Sequence, residues 1–305
     1  MLQVKRGKIS ASLLSRKPQA TLVGFSAILM WALLALLSAS SGAVPPFQLV
    51  VMTFLIGGLI GIVTWPFRPG VIARLPTDGK IWALGITGLF GYHAVYFAAI
   101  RAAPAIEVSL VAYLWPLFIV VFSSFLPGDK LQLHHVVGVM LGLLGAVFVI
   151  SKGQLLSVIS TFSVGHALAF ACALIWSSYS VLSRRNAHVS SDVVAAFCLV
   201  TALLALIAHL LFETTVWPIG QTQWLAVLAL GIIPLGLGFY AWDYGVKHGD
   251  IMVLGATSYA APLLSTLVLV VAGQASLSWP IVIGCVAITA GAVIAAKDMI
   301  FKKTI

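Results

Sequence analysis

The apolar runs of this chain are 17 to 22 residues long and nearly free of charge, and their length decides what it can fold into. A helix rises about 1.5 Å per residue, so each run can cross a hydrocarbon layer roughly 30 Å thick. Only 8% of the 305 residues are charged, against about 25% in a water-soluble domain. Outer-membrane barrels are written instead in strands of about ten residues with alternating polarity, and that pattern is missing. The fold class expected is an all-α membrane protein.

The runs lie at 20–38, 47–65, 80–100, 105–126, 135–151, 166–184, 192–212, 223–244, 251–272 and 279–297, which predicts ten transmembrane helices. Their connections are short and rich in turn residues, as in SSGAVPP at 40–46 and KHGD at 247–250. Placing both termini in the cytoplasm puts fifteen lysines and arginines on the inner side and leaves only Arg101 and Lys152 outside, a strong positive-inside bias. The net charge of +9 is therefore an orientation signal and calls for no nucleic acid. The basic segment 1–19 is expected to be cytoplasmic and solvated, although anionic headgroups would also suit it. SASSGA at 38–43 has the small residues of a signal-peptide cleavage site, but the run before it is long for a signal and has a counterpart later in the chain. Cys172, Cys198 and Cys285 all fall within runs without CxxC spacing and read as small apolar packing. No metal or cofactor is implied.

The chain is written twice. At a shift of 146 residues ALGI at 83–86 meets ALGI at 229–232, Arg101 meets Lys247, and Tyr113 and Pro116 meet Tyr259 and Pro262. GAV at 145–147 meets GAV at 291–293, and a shift of 145 pairs Trp31 with Trp176. Five runs per copy force the second copy to enter the membrane upside down. The expectation is two inverted five-helix repeats, 20–151 and 166–297, around a central cavity, with an outer linker at 152–165 and a cytoplasmic tail at 298–305. In such architectures substrate sites lie near the midplane and access alternates by rocking.

Two five-run halves, a midspan proline in runs 4 and 9, and GAV endings in runs 5 and 10 resemble the drug/metabolite transporter superfamily, in its EamA-type branch. Within it, GYHAVYFAAIRAAPA followed by AIEVSLVAYLWPLF at 105–118 is similar to the YddG-type aromatic amino acid exporters of bacterial inner membranes. The resemblance implies an inner-membrane exporter of aromatic and other neutral amino acids, or of other metabolites or drugs.

Depth follows from the run ends. Trp31, Tyr92, His93, Tyr113, Trp115 and Trp176 fall at mid-depth, with Tyr96 on the same helix face as Tyr92 and with Ser258 one turn from Pro262. Tryptophan and tyrosine usually gather at the headgroup belts, where Trp65, Trp82, Trp217, Trp224, Trp242 and Trp279 are placed. Pro116 and Pro262 deny a hydrogen bond to the carbonyls of Ala112 and Ser258. In hydrocarbon a free carbonyl costs several kcal/mol unless a cavity, water or a neighbour satisfies it. The two prolines read as kinks lining a watered cavity and as hinges; packing kinks are the plainer alternative. Trp31, Tyr92, His93, Tyr96, Tyr113, Trp115, Trp176 and Ser258 form the expected substrate pocket, with aromatic faces for a ring and polar groups for charged ends. A histidine bonded within the bundle is the bland reading of His93. Glu107, beside Arg101, and Asp243, near Lys247, read first as interfacial charges and second as gates. With no carboxylate at the centre, movement down the substrate gradient is expected rather than proton exchange. The glycines of Gly57-xxx-Gly61 and Gly138-xxx-Gly142 read as sites of close helix approach.

An intramembrane enzyme would need a nucleophile, an acid–base pair or a metal cluster; HExxH, GxSxG and paired midplane aspartates are all missing. The chain is not expected to be an enzyme. A scaffold has no supporting feature beyond hydrophobicity, and oligomeric state is not legible. The partners expected are a small-molecule substrate and membrane lipids.

Overall fold

The structure is a computed structural model that describes residues 2–127, 130–154, 163–273, 276–295 and 297. Most of the outer linker and the whole of the tail at 298–305 lie outside these, as do the side chains of residues 2–16.

The described residues form helices and no strand. They are grouped here as α1 (Leu2–Trp31 with Leu34–Ser40), α2 (Pro46–Thr64), α3 (Gly79–Ile86 to Tyr92–Ala102), α4 (Ala105–Ala112 with Trp115–Ser123), α5 (Leu133–Ile150), α6 (Val164–Arg185), α7 (Val193–Phe212), α8 (Gly220–Ile232 to Gly238–His248), α9 (Ile251–Thr257 with Ala260–Val271) and α10 (Trp279–Ala295). Among the described residues seven helices are long and apolar enough to cross a membrane, or eight with the bent pair of α9. Glu107–Ser123 in α4 and Trp279–Ala295 in α10 are shorter apolar helices. Helix starts follow local chemistry. Asp78 accepts from the Lys80 N–H, Asp250 accepts from the N–H groups of Met252 and Val253, and Pro46 takes the first position of α2, where its missing N–H costs nothing.

Five irregularities interrupt the described helices. α3 and α8 each contain a five-residue π-helical segment, Thr87–Gly91 and Ile233–Leu237, directly after the two ALGI stretches and 146 residues apart. α4 breaks at Tyr113 and Leu114, and α9 breaks at Ser258 and Tyr259 with a bend of 41°. In both, the break lies within one turn ahead of the proline, where Pro116 and Pro262 cannot donate to the carbonyls of Ala112 and Ser258. The Ser258 carbonyl accepts the Ala261 N–H instead, at 3.0 Å. The break of α1 at Ala32 and Leu33 has no proline and no counterpart in α6, which is continuous from Val164 to Arg185.

α5 packs along α10, α2 along α7, α1 along α8 and α3 along α6. Small residues let these backbones meet. Gly57 lies against the Leu235 carbonyl and Gly236, and Gly61 against Tyr240 and Ala195. Gly138 lies against Gly291, Gly142 against the ring of Tyr259, and Gly24 against Gly245. Cys172 and Cys198 are buried and Cys285 half-buried, all as free thiols.

Candidate functional site

The helix breaks and the π segments surround one cavity of about 350 Å³, near the lower end of the roughly 300–1,000 Å³ usual for small-molecule sites. It is lined from α1, α3, α4, α6, α8 and α9. Seven residues expected at the pocket line it: Trp31, Tyr92, His93, Tyr96, Tyr113, Trp115 and Trp176. Ser258 does not. It is fully buried, and its hydroxyl donates to the Leu254 carbonyl at 2.6 Å, one turn back along its own helix. Hydroxyls come instead from Ser109, one turn before Tyr113, and from Ser265, one turn beyond Ala261. Phe239 of α8, just past the second π segment, completes the wall and was not expected from the sequence.

The aromatic rings form a connected floor. Trp31 and Trp176 meet edge to face at 5.7 Å, Trp115 and Trp176 at 6.4 Å, and Tyr92 leans on Trp176 at 5.7 Å, all within the range of favourable ring pairs. Trp242, expected at a headgroup belt, is fully buried beneath them, 5.1 Å from Trp31 and 5.7 Å from Trp115. Near-terminal position in a run suggested the belt, but α8 continues to His248 and carries Trp242 well inside. Two of the indole donors find partners. Trp31 donates to the Pro234 carbonyl in the π segment at 3.1 Å, and Trp242 donates to the Ser180 hydroxyl at 3.0 Å.

His93 is held in one tautomer. Its Nδ1 lies 2.7 Å from the carbonyl oxygen of Leu89, inside the first π segment. A carbonyl only accepts, so Nδ1 carries the hydrogen of the neutral ring and Nε2 keeps a lone pair. Phe54 and Tyr92 pack against the ring at 5.1 and 5.4 Å. The stacked rings of Tyr92 and Tyr96, 6.0 Å apart, rise from it along α3, and the Tyr96 and Ser109 hydroxyls approach to 3.5 Å. Among the described residues no Asp or Glu lines the cavity. From its floor at Trp115 and Trp176 the lining runs to Leu34, Ala35, Tyr96, Ser109 and Ser265, toward the end of the bundle where α1 finishes and α4 begins.

The charged groups expected at interfaces are buried in pairs. Glu107 does not meet Arg101; its carboxylate lies 2.6 Å from Nε2 of His166 on α6. Arg101 lies 3.9 Å from Glu213, which accepts the N–H groups of Phe47 and Gln48 at the start of α2 and lies 3.0 Å from Nδ1 of His209. Asp243 and Lys247, four residues apart on α8, form an ion pair at 2.7 Å with side chains only 1% and 3% exposed. Sequence distance along a run could not reveal that α6 and the turn around Val189 close over these groups.

The chain matches the EamA-like transporter family twice, over residues 19–151 and 163–296. It is 51% identical to the aromatic amino acid exporter YddG of Ancylobacter novellus over 92% of this chain and 97% of that protein. It is 27% identical to the aromatic amino acid exporter YddG of Salmonella typhimurium, over 90% and 96%, and 24% identical to the pseudopaline exporter CntI of Pseudomonas aeruginosa, over 88% and 90%. A crystal structure with 51% sequence identity superposes with a TM-score of 0.85, covering 92% of this chain and 97% of that one.

Proposed function

This chain belongs to the EamA-like transporter family, and we propose that it exports aromatic and other neutral amino acids across a bacterial inner membrane by alternating access through the aromatic cavity. The observation that carries the substrate class is the chemistry of the lining. Among the described residues the cavity offers ring faces from Trp31, Trp115, Trp176, Tyr92 and Phe239, a neutral imidazole and five hydroxyls, but no fixed charge. Such a set suits a zwitterion with an apolar side chain. An aromatic side chain stacks against the tryptophans. The ammonium is drawn to ring faces and to the Nε2 lone pair of His93. The carboxylate takes hydroxyls from Tyr113, Tyr96, Ser109 or Ser265. Relatives named as aromatic amino acid exporters at 51% and 27% identity point to the same class.

In this reading ten helices cross the membrane with both termini in the cytoplasm, as the fifteen inner lysines and arginines require. Residues 20–151 and 166–297 are the two repeats, inverted with respect to each other, joined outside by 152–165 and followed by a cytoplasmic tail at 298–305. The 146-residue recurrence of the π segments, the proline breaks and the pairing of α1 with α8 and of α3 with α6 support it. With this orientation the cavity opens outward and is closed on the cytoplasmic side by Trp115, Trp176 and Trp242. Pro116 and Pro262 are the hinges. Among the described residues no carboxylate lines the central cavity, and movement runs down the substrate gradient. Proteoliposomes loaded with labelled phenylalanine, threonine and a hydrophobic cation test the assignment. Phenylalanine should leave faster than from protein-free vesicles, and faster than the cation; the reverse order would favour a drug exporter.

A further inference from the structure

A second cavity, of about 540 Å³, lies at the other end of the same helices. Its walls are Phe125, Leu126 and Pro127 just past α4, Arg184 and Arg185 at the end of α6, and Lys247 of α8. α4, α6 and α8 also line the central cavity, through Trp115, Trp176 and Phe239. Each helix therefore meets the second cavity eight to ten residues after the first, about 12–15 Å further along at 1.5 Å per residue. All three run the same way, into the cytoplasm in the orientation proposed above. The two spaces are successive chambers of one path.

Between them the path is closed by buried charges. Phe239, Asp243 and Lys247 follow at four-residue spacing and so share one face of α8. Phe239 faces the upper cavity, Lys247 the lower, and Asp243 is 1% exposed between them. Lys247 is paired with Asp243 at 2.7 Å and donates to the Val189 carbonyl at 3.1 Å, while Arg184 donates to the carbonyls of Val246 and Gly249 at 3.1 and 2.9 Å. These contacts tie α6, α8 and the turn before α7 together on the cytoplasmic side. Splitting a buried ion pair without replacement strands two charges and costs several kcal/mol. A ligand that brings its own carboxylate and ammonium can exchange partners with the pair and strand neither.

We propose that this lower cavity is the cytoplasmic loading site, in which a zwitterionic amino acid inserts into the Asp243–Lys247 pair, its carboxylate taken by Lys247 and Arg185 and its ammonium by Asp243, and so unties the inner closure. The inference rests on the export reading above. The rim of Phe125, Leu126 and Pro127 holds the apolar side chain, and exposed Arg185 steers the carboxylate.

The test is substrate protection at the lower cavity, read separately from transport. A single cysteine, Phe125→Cys, is placed in the full reconstituted chain and alkylated from the cytoplasmic face by a charged, membrane-impermeant thiol reagent. The chain without that cysteine is the blank for Cys172, Cys198 and Cys285. Phenylalanine should slow alkylation, whereas phenethylamine, which lacks the carboxylate, and 3-phenylpropanoate, which lacks the ammonium, should not. Arg185→Gln should raise the half-protecting concentration about threefold, the worth of one solvated charge. The paired change Asp243→Asn with Lys247→Gln, which leaves no stranded charge, should abolish protection. Equal protection by either half-charged analogue overturns the proposal. So does protection that follows the anionic-lipid content of the vesicle and ignores phenylalanine. Export of labelled phenylalanine is measured in parallel. Export without protection overturns this inference alone; neither export nor protection overturns the function as well.

Discussion

Gly138 of α5 lies backbone to backbone against Gly291 of α10, and Gly145 in turn lies against Gly284. The sequence repeat aligns Gly138 with Gly284 and Gly145 with Gly291, so the contacts are crosswise. Each glycine meets the partner of the other, as a two-fold axis between the helices produces. A Cβ on Gly291 would fall on the Gly138 carbonyl oxygen and the Gly142 nitrogen, both backbone atoms with no rotamer to escape through. Gly291→Val should therefore destabilise the protein by about 1–3 kcal/mol or more, the range for overpacking a tight contact. Gly79→Ala, which meets nothing within 4 Å, should stay within about 0.5 kcal/mol. Thermal unfolding in detergent of both variants against the parent checks the difference.

His93 is fixed by Leu89 with Nε2 free to accept, and this sets what a substitution should do. His93→Asn keeps an acceptor at a different reach, and His93→Leu keeps only bulk. If Nε2 meets the substrate ammonium, His93→Leu loses a hydrogen bond to a charged group, about 1.5–3 kcal/mol, or roughly a ten- to hundredfold loss in efflux efficiency. His93→Asn should recover part of it. Efflux of labelled phenylalanine across a concentration series checks this, with amounts of inserted protein matched. Equal rates in all three would mean the imidazole only packs against Phe54 and Tyr92.

The 41° bend of α9 predicts a split between binding and turnover. Pro262→Ala supplies the regular helical donor to the Ser258 carbonyl, which otherwise accepts the Ala261 N–H at 3.0 Å, and removes the reason for the break. The lining residues Ala261 and Ser265 remain in place chemically. The expected outcome is a lower maximal rate with a half-saturating concentration changed less than the rate, because hinge positions govern exchange between states. Single-turnover and steady-state efflux of Pro262→Ala and Pro116→Ala separate the two quantities.

Much of this site was legible because one-dimensional depth is enough to place residues in a membrane helix. Trp31, Tyr92, His93, Tyr113, Trp115 and Trp176 come together because each falls near the middle of its run. Rotation about the helix axis is not written in depth, which is why Ser258 was expected at the cavity and Ser265 was not. The π segments add a residue to one turn and shift the face that follows, so Phe239 and Leu235 were also unreadable. Charged residues misled for a related reason. Glu107, Asp243 and Lys247 stand near run ends, where headgroups are the default partner. Whether His166 on another helix reaches Glu107 depends on how α4 and α6 cross.

Asp250 gives the fold a pH dependence whose sign can be worked out. It stands between α8 and α9, where its side chain caps α9 and pairs with Lys17 of α1 at 2.8 Å, while its own N–H donates to the Thr21 hydroxyl. Burial pushes the carboxyl up, but the Lys17 charge and hydrogen bond, the Val253 N–H and the Arg184 charge outweigh it and hold it below its ordinary value. An unfolded aspartate titrates near pH ~3.9. Since the folded value is lower, the unfolded chain binds the proton first, and stability rises with pH across this window. The contribution is complete above the unfolded value and is lost as pH falls through the folded one. Unfolding temperature should therefore drop on acidification below about pH 4 by more in the parent than in Asp250→Asn. At neutral pH, Asp250→Asn should cost little through the cap, because asparagine caps as well, and more through the lost Lys17 pair. Melting curves of parent, Asp250→Asn and Lys17→Gln between pH 3 and 7 decide it; parallel slopes in all three would assign the acid sensitivity to other carboxylates.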